Sequence, residues 1–129
     1  MSNSITQLID QALNFHRQGK IIEAEKFYDK VLKLQKNNPN ALHYLGVIRH
    51  QQGRNLDAEK LITRALKIKP DDIMAMSNLG STYSALLKFD DATDLFSKVL
   101  ISQPNNFQVL TNRGNASVSY THLTLPTKA

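Results

Sequence analysis

The sequence predicts an all-α fold, a solenoid of stacked antiparallel helix pairs, on three observations. The stretch from Asn38 to Asp72, NPNALHYLGVIRHQQGRNLDAEKLITRALKIKPDD, returns 34 residues later as DIMAMSNLGSTYSALLKFDDATDLFSKVLISQPNN. Gly46 maps to Gly80, Ala58 to Ala92, Leu66 to Leu100 and Pro70 to Pro104, while Ala12, Ala24 and Leu32 stand 34 residues earlier. A fixed period in this range marks stacked supersecondary units. Ser4, Asn38, Asp72 and Asn106 keep the same 34-residue spacing, and each side chain accepts a hydrogen bond from the free N–H groups of a first helical turn. Between them, apolar residues recur at spacings of three and four, the mark of amphipathic helices.

The elements follow in order. In repeat one, helix A is expected from Ile5 to Gln18, with Leu8, Ala12 and Phe15 on one side and Gly19 as its left-handed stop. Helix B is expected from Ile21 to Gln35, burying Phe27, Tyr28, Val31, Leu32 and Leu34. Repeat two opens on Asn38, with Pro39 at the first helical position, where its missing N–H costs nothing. Its apolar faces are Leu42, Leu45 and Ile48, then, past the turn at Gly53, Leu61, Ile62, Ala65, Leu66 and Ile68. Repeat three offers Met76, Leu79 and Tyr83, then Phe89, Leu95, Phe96, Val99 and Leu100. Helices of about 14 residues are marginal alone, so neighbours must hold them. Ala12, Gly46, Gly80 and Gly114 share one register, and Ala24, Ala58 and Ala92 another. Such small side chains let helix backbones approach toward the lower end of the usual separation.

Composition narrows the function classes. The chain has 129 residues, 41% of them hydrophobic, a net charge of +5 and no cysteine. Disulfides and thiolate metal sites are excluded, and the balance fits a reducing, cytoplasmic setting. No apolar run is long enough to span a membrane, and MSNSITQLIDQ lacks the blocks of a secretory signal. No cofactor or catalytic constellation is visible. His43 and His50 lie seven residues apart, and the histidines read as solvated helix-face residues. Asp71-Asp72 and Asp90-Asp91 fall near helix starts, where negative charge complements the helix dipole. Lys26, Lys30, Lys33 and Lys36, then Lys60, Arg64, Lys67 and Lys69, form basic clusters. Nucleic acid is nevertheless disfavoured, because no aromatic interleaving offers bases a stacking platform. Asp29 with Lys33 and Asp94 with Lys98 read as ordinary solvated pairs.

Leu42, Leu45-Gly46, Gly53, Ala58, Ala65 and Pro70 resemble the signature of the tetratricopeptide repeat, as do Met76, Leu79-Gly80, Tyr83, Phe89, Ala92, Phe96 and Pro104. Departures are Gln11 where Leu45 and Leu79 stand, Lys36 where the prolines stand, and Leu87 in place of the turn glycine. The resemblance implies a right-handed superhelix whose A helices line a concave groove for a protein or peptide. Carried onto this chain, the lining positions are His43, Tyr44, Val47 and His50 in repeat two. Repeat three supplies Ser77, Asn78 and Ser81, and repeat four Gln108 and Asn112. Asn78 and Asn112 share one register, and an amide there can both donate to and accept from a peptide backbone.

Chaperone adaptors of this fold grip a C-terminal carboxylate with Lys and Asn, for which Ile9, Leu13, His43 and Val47 are poor substitutes. The repeats also resemble those preceding catalytic domains in bacterial relatives of O-linked N-acetylglucosamine transferase, and those preceding sulfotransferase or methyltransferase domains. The residues themselves read as a binding scaffold without catalysis. The repeats are expected at 4–37, 38–71 and 72–105, with a fourth opening at 106–116. After Ala116 the pattern reads as breaking, and Val118 to Thr127 resembles the in-frame translation of a sequencing-library adapter, making 117–129 a non-native or disordered tail. The chain would then be a fragment of a longer protein. An uncapped end there exposes apolar surface of the last B helix, with self-association as the consequence.

Overall fold

A computed structural model describes residues 2–124, with side chains described from residue 4 to residue 122. Seven helices follow one another: α1 (Ser2–Arg17), α2 (Ile21–Leu34), α3 (Pro39–Gln51), α4 (Asn55–Ile68), α5 (Ile73–Ala85), α6 (Phe89–Ser102) and α7 (Phe107–Thr124), with no strand among the described residues. They group into two compact bodies that divide between Asp71 and Asp72. In the first, α1 packs on α2, α2 on α3 and α3 on α4; in the second, α5 packs on α6 and α6 on α7.

Side-chain caps set where three of the A helices begin. Asn38 accepts from the Ala41 N–H at 3.0 Å, Asp72 from Ala75 at 3.1 Å and Asn106 from Val109 at 3.1 Å. The expectation for Ser4 is corrected, because α1 begins at Ser2 and carries Ser4 inside its first turn. Asn38, Asp72 and Asn106 each stand in extended backbone or at a turn just before their helices, whereas Ser4 already has helical backbone.

In the first three repeats the A helix stops in the same way. Gly19 and Gly53 sit at φ +78°. The next N–H reaches back to close the turn, Lys20 to the Phe15 carbonyl at 2.9 Å and Arg54 to the Arg49 carbonyl at 2.8 Å. Leu87 takes the glycine's place at φ +63°, and Lys88 still closes onto the Tyr83 carbonyl at 2.8 Å. A side chain in this left-handed region costs about 1–2 kcal/mol, so the turn closure outweighs the strain.

The small residues mark where helices meet. A Cβ built on Gly46 would stand 2.6 Å from Ile62 Cγ1, and one on Gly80 would stand 2.5 Å from Phe96 Cε1. Ala24, Ala58 and Ala92 are fully buried, as is Ala12. The first core gathers Ile9, Ala12, Ala24, Tyr28, Val31, Ala41, Leu45 and Ile48, and the second Ala92, Phe96, Val99, Leu100, Val109 and Ala116. Two expected core positions are corrected: Leu34 is 65% exposed and Ile68 is 45% exposed. Each is the final residue of its helix, three past the last buried position, where the neighbouring helix no longer reaches.

The C-terminal stretch also differs from the expectation. Helix α7 continues unbroken through Ser117 to Thr124, so the loss of helical order expected after Ala116 does not occur there; residues 125–129 lie outside the described residues. Helix propagation adds a hydrogen bond per residue once a turn exists, and no proline interrupts the run before Pro126. The apolar face of α6 is covered by α7, with Val99 and Leu100 buried. Exposed apolar surface remains on α6 at Ile101 and on α7 at Phe107, Val118 and Tyr120, and a Cβ on Gly114 would meet nothing within 4 Å.

Candidate functional site

The second body holds a cleft of about 320 Å³ between the A-type helices α5 and α7. Its walls carry Ser77, Asn78 and Ser81 from α5 and Gln108 and Asn112 from α7, all five of the residues expected there from the sequence. Helical spacing explains the grouping: Ser77, Asn78 and Ser81 stand at i, i+1 and i+4, and Gln108 and Asn112 at i and i+4. Ile73, Met74 and Val109 add apolar surface, and Gln103 and Asn106 a polar rim.

Hydrogen bonds fix much of this lining. Ser81 Oγ donates to the Ser77 carbonyl at 3.3 Å, leaving its oxygen lone pairs as acceptors. Buried Thr82 donates to the Asn78 carbonyl at 2.9 Å, tying down the turn that carries Asn78. Asn106 accepts from Val109 N–H through its oxygen and donates to Gln103 Oε1 at 2.9 Å through its nitrogen. The same pair occurs 68 residues earlier, where Asn38 donates to Gln35 Oε1 at 2.9 Å. The cleft therefore combines amides and hydroxyls with an apolar lining, a chemistry suited to polypeptide backbone and small side chains rather than to a formal charge.

The other four expected residues lie in the first body and behave differently. His43 is corrected from groove lining and from solvated histidine, since it is 1% exposed. Its ring stacks on Tyr44 with centroids 4.7 Å apart, and Tyr44 in turn stacks on Tyr28 at 6.0 Å. Val47 and His50 are half-buried. His50 Nδ1 pairs with Asn55 Oδ1 at 2.6 Å, and His16 Nε2 with Gln51 Oε1 at 2.8 Å, so these histidines are engaged with the fold rather than simply solvated. Sequence reasoning missed Ile73, Met74, Gln103, Asn106 and Val109 as cleft residues. The recurrence of Gln three residues before Asn, at 35 and 38 and again at 103 and 106, was the available signal for the rim.

The first body also holds an ionic cluster across α2 and α3. Arg49 Nη2 lies 2.8 Å from Glu25 Oε1. The hydrogen bond from Arg49 holds the Glu25 carboxyl below the usual carboxylate range. Asp29, one turn along, is pushed above its usual range by partial burial and then by the charge of Glu25, while Arg49 and Lys33 draw it back.

A model of the tetratricopeptide repeat matches residues 15–79, half of the chain. The chain belongs to the tetratricopeptide repeat family. No curated protein sequence matches it. Among solved structures, it is similar to the first tetratricopeptide domain of Spaghetti (RPAP3) bound to the HSP90 peptide SRMEEVD, at 23% identity and TM-score 0.87, covering 94% of this chain and 96% of that one. It is similar to O-GlcNAc transferase of Thermobaculum terrenum at 23% identity and TM-score 0.85, over 89% of this chain and 22% of that one. The tetratricopeptide domain of Arabidopsis OM64 matches at 17% identity and TM-score 0.81, over 88% and 94%. At these identities the likeness establishes the fold, and the α5–α7 cleft lies where two A helices of tetratricopeptide repeats face each other.

Proposed function

We propose that this chain is a protein-interaction scaffold that holds an extended segment of a partner in the α5–α7 cleft. The observation that carries the reading is the convergence of Ser77, Asn78, Ser81, Gln108 and Asn112 on one cleft with an apolar lining. Asn78 and Asn112, one per repeat, are suited to donate to and accept from successive peptide groups of an extended backbone. The tetratricopeptide domain of RPAP3, in its complex with an HSP90 peptide, supports the class of ligand. It does not extend to the acidic C-terminus of that peptide, because Ile9 and His43 are buried and Leu13 and Val47 are apolar at the positions a carboxylate grip would use. The likeness to O-GlcNAc transferase spans 22% of that enzyme and supports no transferase activity in these residues.

The reading assigns binding and no catalytic step, with a cytoplasmic protein or peptide as partner. The exposed apolar side of α7 that carries Phe107 and Val118 is the surface through which self-association would run. The test is a peptide display selection on the full chain, followed by fluorescence anisotropy with the recovered peptides. Asn78→Ala and Asn112→Ala should each weaken binding by about five- to tenfold, corresponding to about 1–1.4 kcal/mol for a hydrogen-bonding group. Recovered peptides whose affinity is unchanged in both variants would refute the cleft as the site.

A further inference from the structure

Helices α2 and α4 repeat a surface pattern that the cleft does not use. Ile22 and Leu56 share one register, and Lys26, Lys30 and Lys33 align with Lys60, Arg64 and Lys67. All of these side chains are exposed, Leu56 by 64%. On α4 Leu56, Lys60, Arg64 and Lys67 share one outward face with Thr63 and the carboxylate of Glu59. Arg64 is steadied through Nη2 donating to the Lys36 carbonyl and to Asn37 Oδ1, both at 3.4 Å, and both acceptors are neutral. The ion pairs Arg49–Glu25 and Arg54–Asp57 do not engage Lys60, Arg64 or Lys67. Three cations against the one carboxylate of Glu59 on this face leave a net positive field beside an exposed leucine.

We infer that the α4 face from Leu56 to Lys67 is a second docking site, for an acidic polypeptide segment that sets an aliphatic side chain beside Leu56 and carboxylates on Lys60, Arg64 and Lys67. Charge complementarity selects an acidic ligand, and Leu56, one helical turn from Lys60, selects a polypeptide that carries an aliphatic side chain beside its carboxylates. A nucleic acid would find no aromatic platform on this face and no use for the leucine. The chain also supplies an internal contrast, because α6 carries Asp90 and Asp94 at the registers of Leu56 and Lys60.

The test is fluorescence anisotropy with a labelled synthetic Glu/Leu peptide about four helical turns long. Three comparison probes are the same peptide with Leu replaced by Ser, a single-stranded oligouridine, and vesicles of phosphatidylcholine with phosphatidylserine. The Glu/Leu peptide should bind the full chain, weaken at raised salt as exposed charge pairs do, and lose affinity when its leucines are removed. Leu56→Asp combined with Lys60→Asp, which copies the α6 register, should weaken it at least about tenfold. Asn78→Ala should leave it unchanged. If the double variant loses its helical circular dichroism, Arg64→Ser with Lys67→Ser carries the same expectation. Absence of peptide binding, binding undiminished by these variants, or tighter binding of oligouridine or vesicles than of the peptide would each overturn the inference.

Discussion

Tyr28 is fully buried, and its hydroxyl has no hydrogen-bond partner among the described residues. Burial pushes its phenol far above the usual range. Phe96 stands at the same register two repeats later, which shows that the slot accepts a plain ring. An unsatisfied buried hydroxyl costs about 1–3 kcal/mol, so Tyr28→Phe should stabilise the chain by about 1 kcal/mol. A urea melt checks this through a higher midpoint; a lower one would mean that the hydroxyl is satisfied.

Glu25 and Asp29 carry opposite pH dependences. The lowered Glu25 contributes stability that is present above the usual carboxylate range and lost as pH falls through its lowered pKa. The raised Asp29 destabilises the fold while ionised, and that effect is relieved as pH falls through its raised pKa. The two partly cancel in acid. Asp29→Asn should raise the melting temperature at neutral pH and leave a steeper loss of stability in acid, as scanning calorimetry across pH would record. A variant less stable at neutral pH would contradict the assignment.

At the scale of elements, the helix pairs depend on what faces each small residue. Ile62 and Phe96 crowd the positions where Gly46 and Gly80 would carry a Cβ, while nothing approaches Gly114. Gly46→Ala and Gly80→Ala should destabilise by about 1–3 kcal/mol through overpacking. Gly114→Ala should stabilise by up to about 1 kcal/mol, because alanine is the better helix former and meets no neighbour. Three chemical melts decide it, and equal signs across the series would sink the packing scheme. Helix positions and caps were legible because Asn38, Asp72 and Asn106 act locally on their own first turns. The burial of His43 and the exposure of Leu34 and Ile68 were not, because each depends on where a neighbouring helix lies. Leu87 shows the same limit: its local preference speaks against the left-handed turn, and the closure to Tyr83 wins.

At the scale of the whole molecule, the repeat period was enough to identify the fold, since each helix pair buries its apolar face only against neighbours. Five of nine expected groove residues share a cleft because α5 and α7 present the same register. The four in the first body include a buried histidine and a histidine committed to Asn55, which alternation of polar and apolar letters does not reveal. The helical continuation to Thr124 was likewise hidden, since Val118 to Thr124 carries weak periodicity and borrows its order from the helix already formed. The most direct measurement is an NMR titration of the isotope-labelled chain with a selected extended peptide, following side-chain amide resonances. The scaffold account predicts that Asn78, Gln108 and Asn112 shift together and saturate at one affinity. Saturable binding that leaves those three resonances unmoved would contradict it.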